Sequence, residues 1–132
     1  MSALKSGAYP ITLNGKEYGL LFSLNALDEV QAKFGGYDKL SEVFNDKNPN
    51  LFKDTRWLLT TLINEGILAE DENAQMLDEK RVGRLIHLGN LKEVQSAIFA
   101  SFAMATAGDG ENTGETEEER EEAGEMKAGQ ES

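Results

Sequence analysis

Asn14-Gly15 stands between two apolar runs, residues 8–13 and 16–23. A two-residue connection between antiparallel strands needs positive φ at both central positions, and Asn-Gly meets that need at low steric cost. The pattern predicts a β-hairpin with strands at 9–13 and 18–22. Pro10 has no amide proton to donate and belongs on an edge. A lone hairpin is marginal in water, so one face of this one must rest on the rest of the chain.

Beyond the hairpin the chain reads as helical. Ser23 is placed to cap a helix whose apolar residues Leu24, Leu27, Val30 and Phe34 fall within about 120° of arc, and Gly35-Gly36 stops it. Asp38 is placed to cap a short helix with Leu40, Val43 and Phe44 inward, and Asn48-Pro49-Asn50 breaks the chain again. Residues 51–68 form the longest helical pattern. There Leu51, Thr55, Leu58, Leu59, Leu62, Ile63 and Gly66 make one stripe about 140° wide. The polar stretch 69–74 reads as a loop. Asp78 is placed to cap a short helix carrying Val82, Leu85 and Ile86, which Gly89 ends. Asn90 starts the last helix, with Glu93 in the capping-box position and Leu91, Val94, Ile98, Phe99, Phe102 and Ala105 on one face. The expected class is α+β, mostly α: an N-terminal hairpin packed on about five helices, with no internal repeat.

Charge divides the chain. Residues 1–107 carry 14 acidic and 11 basic side chains, net −3, whereas residues 108–132 carry 10 and 2, net −8. In the second stretch only Ala123, Met126 and Ala128 are apolar, too little to offset the entropy of ordering a backbone. The organisation read from this is a flexible N-terminus at 1–7, a single domain at 8–107 and a disordered acidic tail at 108–132. A net charge of −11 argues against phosphate-backbone binding, so no nucleic acid partner is expected. No apolar run is long enough for a membrane span and no secretory signal is legible, which together predict a cytoplasmic protein.

Catalytic chemistry finds little to stand on. The chain has no Cys, so thiol nucleophiles and thiolate metal sites are excluded. No Ser lies in a Gly-x-Ser-x-Gly elbow, and His87 is the single histidine, beside Ile86 and Leu88 near a helix end. Asp46-x-Asn48-x-Asn50 begins like a calcium loop, but Leu51 and Trp57 occupy the sixth and twelfth positions where Gly and Glu are needed. Gly35-Gly36 follows a helix, not a strand, and is no phosphate cradle. No catalytic residue, metal ligand or cofactor is expected, and the chain is read as a non-enzyme.

One large residue lies off the core stripe. Trp57 falls about 170° around the long helix from the stripe's centre, on the same side as Leu68. Either another element covers it from the far side, as is usual for tryptophan, or it is an exposed anchor for a protein partner. Trp57 and Leu68 are the candidate partner-binding residues, with Ile67 at the edge of the core stripe.

The order of signals from Tyr9 to Gly36 carries a family resemblance: a strand, Asn-Gly-Lys-Glu-Tyr, then Leu-Leu-Phe-Ser-Leu-Asn-Ala-Leu-Asp-Glu-Val-Gln-Ala-Lys-Phe-Gly. It resembles the short tail assembly chaperones of long-tailed bacteriophages and their prophages. Members of that group open with a hairpin around an Asn/Asp-Gly-Lys turn, run into a helix of the form Phe-Ser-x-x-Ala-Leu-x-x-x-x-x-x-Phe-Gly, and continue through a Leu-rich segment similar to Trp57-Leu58-Leu59. The resemblance implies a non-enzymatic protein that binds the tape measure protein, helps recruit tail tube protein subunits, and is absent from the finished virion. It leaves self-association open. The competing expectation is an acidic adaptor or inhibitor that occupies a basic cleft of another protein.

Overall fold

The computed structural model describes residues 7–107. The expectations for residues 1–6 and for the acidic tail at 108–132 lie outside the described residues. The elements are β1 (Tyr9–Leu13), β2 (Lys16–Leu20), α1 (Leu24–Phe34), α2 (Leu40–Val43), α3 (Leu51–Glu70), α4 (Glu79–Gly83) and α5 (Leu91–Thr106). This is the expected hairpin followed by five helices. Contacts divide the chain after Phe102. The described residues of the second unit, 103–107, are the end of α5 and the residue after it, whose amide donates to the Ala103 carbonyl at 3.0 Å. No helix among the described residues is long and apolar enough to cross a membrane.

β1 and β2 pair antiparallel with Leu13 opposite Lys16 and Tyr9 opposite Leu20. Asn14 (φ 53°) and Gly15 (φ 77°) supply the two left-handed positions of the turn. The second strand ends at Leu20, two residues earlier than expected. The cause is local: the Leu21 amide leaves the ladder and donates to the Leu62 carbonyl of α3 at 3.2 Å. Phe22 is buried all the same, from the connection to α1.

α3 is the centre of the packing. Leu58, Leu59, Leu62 and Ile63 are inaccessible, and Ile11, Leu13 and Leu20 of the hairpin join them in one core with Ala26, Val30, Val43, Val82, Val94 and Ile98 from the other helices. Gly66 is where backbone meets backbone. A Cβ built there would overlap the Gly19 carbonyl oxygen, so only glycine lets β2 seat against the helix. The buried hydroxyls are satisfied at home. Thr60 donates to the Arg56 carbonyl at 2.7 Å, Ser101 to the Ile98 carbonyl at 2.9 Å, and Thr55 accepts from Gln95 Nε2 at 3.4 Å.

The helix ends obey local chemistry, with several departures from expectation. Ser23 caps α1 by accepting from the Ala26 amide at 3.1 Å, and Gly35 ends it at φ 84°. Leu24, expected on the inner face, is 81% exposed; Ala26 takes its place in the core beside Val30. A first-turn position projects past the end of the packed surface, and Ala26 suits the close approach. Asp38 does not cap α2: the residue before that helix is Lys39, and no side chain bonds the cap. Asp78 does cap α4, accepting from the Arg81 amide at 2.8 Å. α4 ends at Gly83, so Leu85 and Ile86 lie beyond the helix in a tightened turn, with Leu85 N–H bonded to the Val82 carbonyl. The side chain of Asn90 is spent on the preceding loop and forms no capping box with Glu93. The buried face of α5 is Val94, Ala97, Ile98 and Ser101, rotated from the expected one, and Phe99 is 41% exposed.

Gly66→Ala is expected to lose about 2 kcal/mol of stability, because the clash with the Gly19 backbone exceeds the roughly 1 kcal/mol that Ala gains over Gly inside a helix. Urea denaturation measures it, and an unchanged or raised midpoint would show that the hairpin is not seated there.

Candidate functional site

The two residues expected from sequence to bind a partner, Trp57 and Leu68, are both half-buried. Trp57 is half-buried against the core. Its ring stands edge-on to Phe34 at 5.8 Å between centroids and 89° between planes, and Lys33 Nζ lies 5.0 Å from its centroid. The last turn of α1 thus covers part of the indole, through the Phe34 and Lys33 contacts. Leu68 is half-buried as well, and Ile67 packs on the core.

Exposed apolar surface lies elsewhere. Phe52, in the first turn of α3, is 64% exposed, and Leu88, between α4 and α5, is 80% exposed. Both line the same groove, about 570 Å³ in volume, between the start of α3 and the segment 80–91. Ile86 and Leu91, each half-buried, continue its apolar lining. Leaving a side chain such as Phe or Leu uncovered forgoes about 1.5–3 kcal/mol of burial. Two such residues facing one concavity make a surface suited to a ligand's apolar groups.

The groove is held open by hydrogen bonds within its own loop. Asn90 Oδ1 accepts from the His87 amide at 2.9 Å, while Asn90 Nδ2 donates to the Leu85 carbonyl at 3.0 Å. The Gly89 amide donates to His87 Nδ1 at 3.0 Å. These bonds fix the turn that presents Leu88. One step earlier, Asn64 of α3 clamps the chain leading to α4. Its Nδ2 donates to the Leu77 carbonyl at 2.9 Å and its Oδ1 accepts from the Leu77 amide at 2.8 Å. Gly83 then lets the Arg56 side chain cross α4, since a Cβ there would meet Arg56 Cδ at 2.9 Å.

Electrostatically the groove is the inverse of the chain. Lys53, Arg56, Lys80 and Arg84 line it with His87, and no Asp or Glu does. Four of the 11 basic side chains in residues 1–107 are gathered here, although that stretch holds 14 acidic ones. Arg56 pairs with Glu79 at 3.4 Å, both side chains about two-fifths exposed, so the pair contributes little. Arg56 Nε, buried at that contact, makes no well-aligned hydrogen bond. Lys53, Lys80 and Arg84 have no acidic partner among the described residues. The His87 ring accepts from the Gly89 amide, and among the described residues no nucleophile or carboxylate is hydrogen-bonded to it. Among the described residues no group of three or more His, Asp or Glu side chains is placed to hold a metal ion.

The periodicity of α3 passes over Phe52 because it lies off the stripe that begins at Leu51, next to Lys53 and Asp54. The legible signal was His87-Leu88-Gly89-Asn90, a leucine inside a turn sequence with no helical face to belong to. Comparison with protein-family models, curated proteins and solved structures finds no match to this chain.

Phe34→Ala is expected to shift Trp57 emission to the red, to raise its quenching by acrylamide, and to cost about 2–4 kcal/mol, from lost burial plus the ring pair. Unchanged quenching would show that Phe34 does not cover the indole. Leu88→Glu, by contrast, is expected to leave the urea midpoint within the range of about 0.5 kcal/mol typical of surface changes; a large loss would make Leu88 part of the core.

Proposed function

We propose that this chain is a non-catalytic tail assembly chaperone of a long-tailed bacteriophage or prophage. In this role it acts in the host cytoplasm, holds the tape measure protein, helps recruit tail tube subunits, and takes its client in the groove edged by Phe52 and Leu88. The observation that carries the reading is the convergence of these two exposed apolar side chains on one concavity. A chaperone for a long, helical, partly apolar client needs such a surface, together with net charge that keeps the complex in solution. The resemblance carried by residues 9–36 supplies the client's identity. The other reading, an acidic protein that fills a partner's basic cleft, draws on the −8 of residues 108–132. The sign of charge at the groove favours a client over such a target.

Co-expression with the tape measure protein of the same genome tests this. The expected result is a client that precipitates alone, stays soluble with this chain, and precipitates again with the Phe52→Glu, Leu88→Glu double variant. A client that stays insoluble beside an excess of the wild-type chain would remove the assignment.

A further inference from the structure

We infer that the groove between the start of α3 and the segment 80–91 is a receptor for an acidic amphipathic helix of a partner protein, which buries large apolar side chains between Phe52 and Leu88 and sets its carboxylates against Lys53, Lys80 and Arg84. The inference rests on the reading of this groove as a protein-docking surface, and it does not depend on which protein the client is.

Charge and shape select this occupant. The lining combines the exposed cations Lys53, Lys80 and Arg84 with apolar side chains and holds no carboxylate, in a stretch of chain where acids outnumber bases. An apolar helix face alone would leave three unpartnered cations desolvated or idle beside it. A basic helix would be repelled. An acidic helix with apolar residues three and four apart answers both parts of the surface at once, seating its apolar side chains in the groove and its flanking carboxylates on the rim. Nucleic acid fits poorly, since phosphates would meet Leu88 at 80% exposure at the mouth and a net charge of −11 around it. An anionic membrane fits poorly for a similar reason: the site is concave, whereas insertion into a bilayer requires apolar side chains on a projecting face.

Opposite charges at an exposed rim act chiefly on encounter rate and orientation, so binding should be salt-sensitive. The apolar seats should set the residence time. Lys53 and Phe52 sit on the rigid first turns of α3, whereas Leu88 is presented by the loop that Asn90 ties down. The anchoring half of the site is therefore preformed.

The test uses the full chain, labelled with nitrogen-15, and two synthetic helical peptides of about 18 residues, long enough to hold a helix when docked. Both carry the same Leu/Phe face; one has Glu on its flanks and the other Lys. The acidic peptide is expected to shift the amide resonances of residues 52–56 and 80–91, and to bind at least tenfold more tightly than the basic one. Its affinity should fall at least tenfold on raising salt from about 50 to 500 mM, as screening of exposed charges requires. Lys80→Glu with Arg84→Glu should weaken it tenfold or more, and Leu88→Glu likewise, with the spectrum of each variant remaining that of a folded chain. Equal or tighter binding of the basic peptide overturns the proposal, as does binding of vesicles of phosphatidylglycerol and phosphatidylcholine in place of the acidic peptide. Two results in the peptide-free chain also overturn it. One is a dimer that Leu88→Glu dissociates, which makes a second copy the occupant. The other is movement of the resonances of residues 117–122 on Lys80→Glu, which assigns the rim to the chain's own acidic stretch. If the acidic peptide binds as stated while the tape measure protein is not held in solution, the tail-assembly assignment fails and the ligand chemistry stands. The reverse pair of results leaves a chaperone whose client is seated elsewhere.

Discussion

The Leu62 carbonyl sits where the helix meets the hairpin. Inside α3 it lies four residues before Gly66, and it also accepts the Leu21 amide at 3.2 Å as the chain leaves β2. This second bond requires the backbone of β2 to come within van der Waals range of a helix backbone, and Gly66 is the residue that permits it. A two-stranded hairpin has too little face to be stable by itself. Its stability is borrowed from α3 through this contact and through Ile11, Leu13 and Leu20, all buried in the same core. Phe22 and the Ser23 cap come directly after, so the start of α1 is placed by the same event.

This seating determines the distribution of surface. The hairpin occupies the C-terminal half of α3, around Leu62 and Gly66, and α1 lays Phe34 against Trp57 further back. On the groove side, the start of α3 faces α4 and the irregular segment that joins α4 to α5. Segments without regular structure cover a helix less completely than a second helix or a sheet, because their own backbone groups need local partners. Here Asn90 and Gly89 meet that need, and the outcome is a groove instead of a packed interface. Apolar side chains on both sides stay uncovered.

Much of this was legible in residue order. The Asn14-Gly15 turn, the Ser23 and Asp78 caps and the Gly35 stop each rest on interactions within a few residues, and each is present; the α3 stripe is buried from Thr55 to Gly66, with Leu51 only half-buried and Thr60 added. The features that were not legible depend on three-dimensional neighbours. Leu24 has the right helical offset for the core but falls beyond the packed surface. Trp57 has the wrong offset, and is nevertheless half-covered by a helix whose position no local pattern gives. α3 is contacted by β2, α1, α2 and α4 on several sides, so a single amphipathic stripe understates what it buries. The groove joins residues more than thirty positions apart, Phe52 and Leu88, through a loop set by Asn side chains. The hydrophobic period of either segment alone does not contain it.

The cationic rim is a feature that folding alone does not account for. Like charges gathered on one surface oppose compaction, and the natural relief is a neighbouring carboxylate. Arg56 has that relief in Glu79, and Lys39 has it in Glu42 on another part of the surface. Lys53, Lys80 and Arg84 do not, although acidic residues are the commoner charge in this part of the chain and Asp78 lies two positions from Lys80. The Asp78 carboxylate is turned to the Arg81 amide as the α4 cap, away from pairing. Stability is served by that cap and by the Gly83 packing of Arg56, both of which leave the remaining positive charge facing the groove. An arrangement that satisfies every local backbone requirement while keeping three cations and two large apolar side chains open to one concavity is poised for a partner that brings carboxylates and apolar carbon together.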